Sequence, residues 1–432
     1  MRAISRAVVL VALAIGASAA QGSQTSEGPL NADAAVREAL TANREFQAAR
    51  QAIDAARGRR LQAGRLDNPE LGLGYADDFA FGGEGERSVS VELAQRFPVT
   101  ARLARAREVA SREVAIAEAE VREFARTLIA EVLQSFYSVR ALDERIAVQR
   151  ELVASVKSVE RATGRRLESA EASPAEVGLL RIERLRLAQE VERLERDREI
   201  AAAKLVRLLG RSSGHLPALA GELDPHLAGA TASGARVDPE RRPDLIAASQ
   251  GIERADADRA LARAEVWEPW TLGLGYDWDQ GEFDDPIGTK RDSFVTLGLT
   301  VPIPLWNRQQ GRIAEAEAEI RRARRTREAL GLRAEEEVRT ARARVSMLRA
   351  SVDAYAAEIL PEATRTQDLF ERGYQQGLVG VGELLQAQRQ YNESRARYLE
   401  LLGELRQAAI EFEAATGRSP HLDELYGSGG SS

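Results

Sequence analysis

The chain has 432 residues, of which 29% are charged and 5% aromatic, with no cysteine and a formal net charge of −7. Bulky rings are too few to fill a wide globular core, and the dominance of Ala, Glu, Arg and Leu is the usage of long helices and coiled coils. The net acidity excludes a nucleic-acid footprint, and the lack of cysteine excludes disulfides, thiolate metal sites and an N-terminal lipidated cysteine.

In chain order, Arg2 and Arg6 precede an apolar run from Ala7 to Ile15, and Ala17-Ser18-Ala19 follows as a cleavage site. Residues 1–19 therefore read as a signal peptide and the mature chain as exported. The run is short of the roughly 20 residues that span a bilayer as a helix. No later stretch is apolar enough either, so any membrane insertion must use strands.

Asn31 or Asp33 caps a helix expected from Ala34 to about Leu66, ended by Asn68-Pro69. Strands near 70–76 and 87–96 follow, joined by the acidic, glycine-rich loop ADDFAFGGEGE. From about Ala101 to Arg165 the chain is helical, near 100 Å at 1.5 Å per residue. Leu128, Val132, Ser135, Val139, Leu142, Ile146, Gln149, Val153 and Val156 give it a coiled-coil seam, and Ile129, Leu133 and Phe136 a second stripe. Two seams mean neighbours on two sides. A turn at 169–174 places Pro174 in the first turn of a return helix to Leu209, whose seam (Val177, Leu180, Leu187, Val191, Leu194, Ala201, Leu205, Leu208) is interrupted by Arg184 and Arg198. Gly210 ends it.

The plan then repeats. LGLGY stands at Leu71–Tyr75 and again at Leu272–Tyr276, 201 residues on, and the helix-ending glycines Gly210 and Gly417 are 207 apart. A chain that repeats at half its length is a duplication. The second copy has a helix from about Pro239 to Glu265, strands near 270–278 and 292–301, and a long helix from about Arg308 to Tyr374 with a seam of Val338, Ala341, Val345, Leu348, Val352, Tyr355 and Ile359. Pro361 should kink that helix. A turn at Gly377-Leu378-Val379-Gly380 sends the chain back through Leu384, Ala387, Tyr391, Tyr398, Leu401, Leu405 and Phe412. The expected organisation is a first helix–hairpin–helix repeat over 20–210, a connector over 211–236, a second repeat over 237–418 and a loose tail over 419–432. The fold class is mainly α with a small β part, built from long antiparallel coiled-coil helices, with two half-length helices stacked end to end beside each long one.

The strands alternate. Leu71, Leu73 and Tyr75, Val89, Val91 and Leu93, Trp270, Leu272, Leu274 and Tyr276, and Val295, Leu297 and Leu299 mark one apolar face, opposite small or polar residues. With Trp267, Trp306 and Phe97 near strand ends, the pattern resembles the aromatic girdle of an outer-membrane barrel, and the alternation alone also fits a soluble antiparallel sheet packed on a helix. Four strands cannot close a barrel with a lumen, so several copies must combine.

VPIPLWNRQQGRIAEAEAEI at 301–320 and YQQGLVGVGELLQAQRQYN at 374–392, on this duplicated plan, resemble the TolC family of outer-membrane efflux proteins over nearly the whole mature chain, and most of all the heavy-metal cation branch exemplified by CzcC. The resemblance implies a homotrimer closing one 12-stranded barrel in outer-membrane lipid of a Gram-negative bacterium. An α-helical tunnel continues it through the periplasm to a periplasmic adaptor and an inner-membrane pump. By the same resemblance Glu383, and less so Gln386, is a candidate lumen constriction. Tyr374 and Glu176 are candidate entrance-gate residues, and Ala170, Ser173, Pro174, Gly377, Leu378, Val379 and Gly380 form adaptor-contact tips. Val379 departs from relatives with arginine there. A helix-terminus role for Glu383 is the alternative. A drug or type I secretion channel, and a soluble periplasmic coiled-coil scaffold, are the competing functions.

No catalytic, cofactor or metal motif is present. His215, His226 and His421 lie in the connector and tail without ligand spacing.

Overall fold

A computed structural model of the protein describes residues 28–78, 86–212, 216–221, 223, 239–284 and 287–417. The signal peptide, most of the first hairpin loop and of the connector, the three histidines and the tail lie outside them. The elements are α1 (Ala32–Ala42), α2 (Arg44–Gln62), β1 (Glu70–Asp77), β2 (Arg87–Phe97), α3 (Arg102–Glu168) and α4 (Pro174–Leu208) in the first half. A 3-10 turn (Pro239–Arg241) opens the second half, followed by α5 (Pro243–Ala264), β3 (Trp270–Asp284), β4 (Ile287–Thr300), α6 (Gln310–Ala354), a π turn (Tyr355–Ile359), α7 (Leu360–Gln375) and α8 (Val381–Thr416).

The first helix is not continuous as expected from 34 to 66. It breaks at Asn43, which is 2% exposed. The Asn43 side chain accepts from the Phe46 N–H at 2.8 Å and donates to the Leu208 carbonyl at 2.9 Å. One amide thus caps the start of α2 and the end of α4. Gly210, at φ +76, sits so close that a Cβ would meet the Ala42 carbonyl oxygen at 2.2 Å. The half-length helices α4 and α2 therefore stack end to end against α3. The far end of α2 also differs from the sequence reading. It stops at Gln62, with Gly64 at φ +70 and the Gly64 carbonyl held by Arg107 at 2.9 Å, ahead of Asn68-Pro69.

The second half makes the same splice with different chemistry. Arg242, 4% exposed, donates to the Ala415 carbonyl at 3.3 Å, to Glu337 at 2.7 Å and to both oxygens of Asp244 at 3.1 and 2.8 Å. Gly417, at φ +69, packs on the Arg242 backbone, where a Cβ would come within 3.2 Å of its Cα. Thus α8 ends where α5 begins, and both lie along α6.

The seams are filled largely as the periodicity requires. Leu128, Val132, Ser135, Val139, Ile146 and Val156 are buried, as are Ile129, Leu133 and Phe136, which meet α1, α2 and α4 in the largest core cluster. Farther along, Leu152 is buried rather than Val153. Val338, Ala341, Val345, Leu348 and Val352 pack on Leu401, Leu405 and Phe412. Beyond them Ile359 is 39% exposed, contrary to the expected seam. Pro361 cannot donate within a helix and its ring crowds the preceding turn. The π turn ahead of it holds one extra residue per turn and rotates Ile359 out of register. Arg184 and Arg198, which interrupt the α4 seam, reach across to α3 and pair with Glu160 at 2.7 Å and Asp143 at 2.8 Å.

The two hairpins join into one antiparallel sheet, β1-β2-β3-β4, in which β1 and β4 are edges. Leu71, Leu93, Leu274 and Leu297 share one rung of the register, and Leu73, Val91, Tyr276 and Val295 the next. The opposite parity holds Gly72, Glu92, Gly275 and Thr296.

Burial opposes the charge of Arg242, yet its hydrogen bonds to Asp244 and Glu337 hold the guanidinium pKa above its ordinary value. Burial likewise pushes both carboxyls up, and the bonds and charge of Arg242 outweigh it, leaving them below the usual range. A depressed carboxyl pKa contributes stability that is present above the unfolded value of about 4 and lost as pH falls through the folded one. Arg242→Met should therefore cost on the order of 3 kcal/mol at pH 7 and markedly less at pH 3. Arg333→Ala, which removes an exposed partner of Glu337, should cost under about 1 kcal/mol. Denaturant midpoints at the two pH values check this; equal costs for both variants, or a cost of Arg242→Met that does not shrink in acid, would contradict it.

Candidate functional site

At the end of the coiled coils away from the sheet, two turns occupy equivalent places in the duplication. After α3, Ala170 adopts φ +59, and the Glu171 N–H donates to the Arg166 carbonyl at 2.7 Å. After α7, Gly377 adopts φ +74, and the Leu378 N–H donates to the Gly373 carbonyl at 2.8 Å. A left-handed residue costs about 1–2 kcal/mol when it carries a Cβ, so Gly377 suits its place better than Ala170. Ser173 then caps α4, with Glu176 Oε2 accepting from the Ser173 N–H at 2.8 Å and Pro174 at the first helical position. In the second turn Gly380 has no side chain to cap with, and half of that box survives. Glu383 Oε2 accepts from the Gly380 N–H at 3.1 Å.

Glu176 and Glu383, which the family resemblance makes candidates for a gate and a constriction, are therefore one duplicated position, and in the protomer each carboxylate closes the first turn of its helix. Glu383 and Gln386 lie on the exposed side of α8, whereas Leu384, Leu385 and Gln388 are buried. Ala170, Ser173, Pro174, Gly377, Leu378 and Gly380 are exposed, with Leu378 at 77%. Val379 is half-buried against Gly373, where a Cβ would meet its Cγ2 at 2.7 Å.

Tyr374 on α7 contacts α3. Its hydroxyl is 2.6 Å from the Thr163 hydroxyl on α3, and the Arg166 guanidinium lies over its ring at 5.6 Å. Behind it lies a pocket of about 170 Å³ lined in part by Ser155, Ser158, Gln367, Glu371 and Gln388. Leu180, Val156, Val381 and Leu385 form the small core beneath the turns.

Two polar contacts here escaped the sequence reading. Glu183 on α4 is 4% exposed and takes both oxygens to Arg389 of α8, at 3.0 and 2.6 Å. Gln388, 6% exposed, donates to Ser155 of α3 at 3.2 Å. Both join coiled coils from different halves of the chain. Periodicity marks apolar seams only, and a charge facing a seam from another helix leaves no local signal.

At the opposite end the apolar strand face is bare. Leu71, Leu73, Tyr75, Leu93, Leu272, Leu274, Tyr276, Val295, Leu297 and Leu299 are between 42% and 75% exposed, and Val89 and Val91 are 39% and 38% exposed. Trp270 is partly covered, opposite Phe97 in the register. Among the described residues no helix is long and apolar enough to cross a membrane, and no cluster of His, Asp or Glu is placed to hold a metal ion.

The family model for outer membrane efflux proteins matches residues 35–211 and 239–418. The chain belongs to that family. This outer membrane efflux protein is 25% identical over 399 residues to the cobalt-zinc-cadmium resistance protein CzcC of Cupriavidus metallidurans, covering 90% of this chain and 91% of that one. Its fold is similar to that of CusC, with a TM-score of 0.73 at 19% identity over 90% of this chain and 92% of the other. It is also similar to the outer membrane protein VceC from Vibrio cholerae, with a TM-score of 0.70 at 16% identity over 89% and 96%. Family membership bears out the reading as an efflux channel of the outer membrane and not an enzyme.

The cap and the charge of Glu383 can be separated, because glutamine also serves at the third helical position. Glu383→Gln should leave hydrogen exchange at the start of α8 within a few tenths of a kcal/mol of the parent. Glu383→Ala should open that turn by about 0.5–1 kcal/mol. Equal exchange in both variants would remove the capping role.

Proposed function

We propose that this protein is the outer-membrane exit duct of a tripartite efflux system, in which three copies close a 12-stranded barrel and continue it as a helical tunnel through the periplasm. The observation that carries the reading is the sheet. It exposes one continuous apolar face and ends in two unpaired edge strands, β1 and β4. A sheet like this is not stable alone in water, and joining β1 of one copy to β4 of the next satisfies both edges at once. The same logic holds at the tips. There α4 and α7 flank α3 and α8, and the α4 side chains Leu179 and Ile182 are 50% and 66% exposed, an apolar stripe suited to a neighbouring copy.

In this assembly the turns at 170–174 and 377–380 are the exposed ends of the tunnel and meet a periplasmic adaptor, which joins the duct to an inner-membrane pump. Similarity to CzcC along nine-tenths of both chains supports heavy-metal cations as cargo. Glu383 then has a second role. Its carboxylate caps α8 through one oxygen, and three copies around the axis make an anionic ring that concentrates cations at the entrance. Tyr374, tied to Thr163 and Arg166, holds the entrance narrow.

Lipid-facing and lumen-facing positions are told apart by charge. Leu297→Arg or Leu274→Arg should block membrane assembly, at about 2–4 kcal/mol near the midplane, whereas Thr296→Arg should be tolerated. Equal tolerance in outer-membrane fractions would reverse the face assignment. In reconstituted channels Glu383→Gln should lower cation preference and relieve block by multivalent cations. The difference should fade at high salt, as a ring screened over a Debye length of about 10 Å at 0.1 M requires. Unchanged selectivity at low salt would leave Glu383 with its capping role alone.

A further inference from the structure

The free edges of the sheet, β1 and β4, each stop at a proline, Pro69 ahead of β1 and Pro302 after β4. Within the protomer one rung runs through Leu73, Val91, Tyr276 and Val295, and the next through Tyr75, Val89, Trp278 and Ser293. The apolar band does not keep to these rungs across the sheet. On the rung of Trp278 it includes β1 and β2 but has left β4, where Ser293 stands. On the rung of Leu272 it includes Leu299 of β4 but not β2, where Gln95 stands, with Phe97 beyond it at the strand end. Val301 carries the β4 band one step past the strand. The midpoint of the band therefore moves from the rung of Tyr276 on β1 and β2 to that of Leu274 on β3 and of Gly273 on β4, about one residue per strand.

Such a slip measures strand tilt. A lipid-facing band keeps one height, whereas a rung perpendicular to tilted strands climbs, so the band has to slip along successive strands. With strands about 4.8 Å apart and residues about 3.3 Å apart, the usual tilt of about 35–45° requires a slip of about 1–1.5 residues per strand. Carried across four strands to the next copy, the total is about 4–6 residues. Only an even offset keeps the apolar side chains on the outer face, which leaves four or six. The prolines choose between these, because proline has no N–H for a ladder. An offset of six would set Pro302 and Pro304 opposite Gly72 and Glu70, inside the seam. An offset of four sets Pro302 opposite Glu70, the first residue of β1, so that both strands end together.

We propose that β4 of one copy pairs with β1 of the next at an offset of four residues from the rungs of the protomer, which places Leu299 beside Leu73 of the next copy. This pairing rests on the trimeric barrel proposed above and adds its register. On the outer face Leu71 then meets Val301, Leu73 meets Leu299 and Tyr75 meets Leu297, whereas with no offset Tyr75 would meet Ser293. On the inner face Ala76 meets Thr296, and the pairs below it are Gly with Gly or Thr. The register also sets the bore. Twelve strands with this offset at each of three seams tilt by about 35° around a backbone diameter of about 23 Å, whereas an offset of six gives about 46° and about 27 Å.

Disulfide trapping reads this register, because the chain has no cysteine of its own. In one chain β1 and β4 are three strand spacings apart, about 14 Å and beyond the reach of a disulfide, so any bond joins two copies. Leu73→Cys is combined in turn with Val295→Cys, Leu297→Cys, Leu299→Cys and Val301→Cys in the full-length protein. Each variant is oxidised in outer-membrane fractions and resolved by denaturing electrophoresis without reductant. Ala76→Cys is combined likewise with Asp292→Cys, Phe294→Cys, Thr296→Cys and Gly298→Cys, because outward and inward pairs alternate between the wide and the close spacing of an antiparallel ladder. Leu73→Cys with Leu299→Cys, or Ala76→Cys with Thr296→Cys, should give severalfold more covalent trimer than any other member of its series. A peak at another partner overturns the register while closure through β1 and β4 stands. If no pair in either series joins copies, closure through these edges falls, and the barrel reading with it. Should Leu73→Cys with Leu299→Cys fail to assemble, Tyr75→Cys with Leu297→Cys tests the same offset.

Discussion

A four-stranded sheet with a bare apolar face and two unpaired edges cannot exist by itself in water, and the rest of the molecule is arranged around that constraint. Each large apolar side chain moved from water to hydrocarbon gains about 1.5–3 kcal/mol, so a face of this extent is worth on the order of 20 kcal/mol per chain once covered. Backbone groups along β1 and β4 add the same demand from the edges. Lipid can cover the face, and other copies of the chain can pair the edges. The helices therefore have to present the hairpins side by side, at a common height, with β1 and β4 free.

They do so through the two splices. A long helix near 100 Å accompanies two shorter ones only if the shorter ones meet head to tail with no unsatisfied backbone at the junction. Asn43 settles one junction with a neutral amide that bonds both helix ends. Arg242 settles the other with a buried cation, two carboxylates and the Ala415 carbonyl. The duplicated geometry is kept while its chemistry has diverged. At the tips the reverse holds, since Glu176 and Glu383 retain both their identity and their bond to the helix start.

These differences explain what could be read from the sequence. The seams of α3, α6 and α8 and the strand parity were legible because burial repeats at fixed spacing along each element. Joining the two hairpins through β2 and β3 into a common register was not, because pairing between distant strands leaves no local mark. Asn43 looked like one more polar residue in a helical run, and only the Leu208 carbonyl arriving from far along the chain makes it a break. Gly64 ends α2 through its left-handed backbone, and a lone glycine in a polar stretch marks a helix end less strongly than Asn68-Pro69 does. Pro361 marks a disturbance in the helix, but its π turn and the exposure of Ile359 depend on how the helix absorbs the missing bond. The tip residues carry a family motif and no periodic pattern. Their local bonds are visible in one protomer, whereas a lumen would form only between copies.

The most direct test of the account is the mass of the particle that the purified chain forms in detergent, measured by multi-angle light scattering together with its strand content by circular dichroism. Closure of the sheet through its edges predicts three chains per particle with the strand signal intact. A stable monomer that keeps the same strand signal would contradict it.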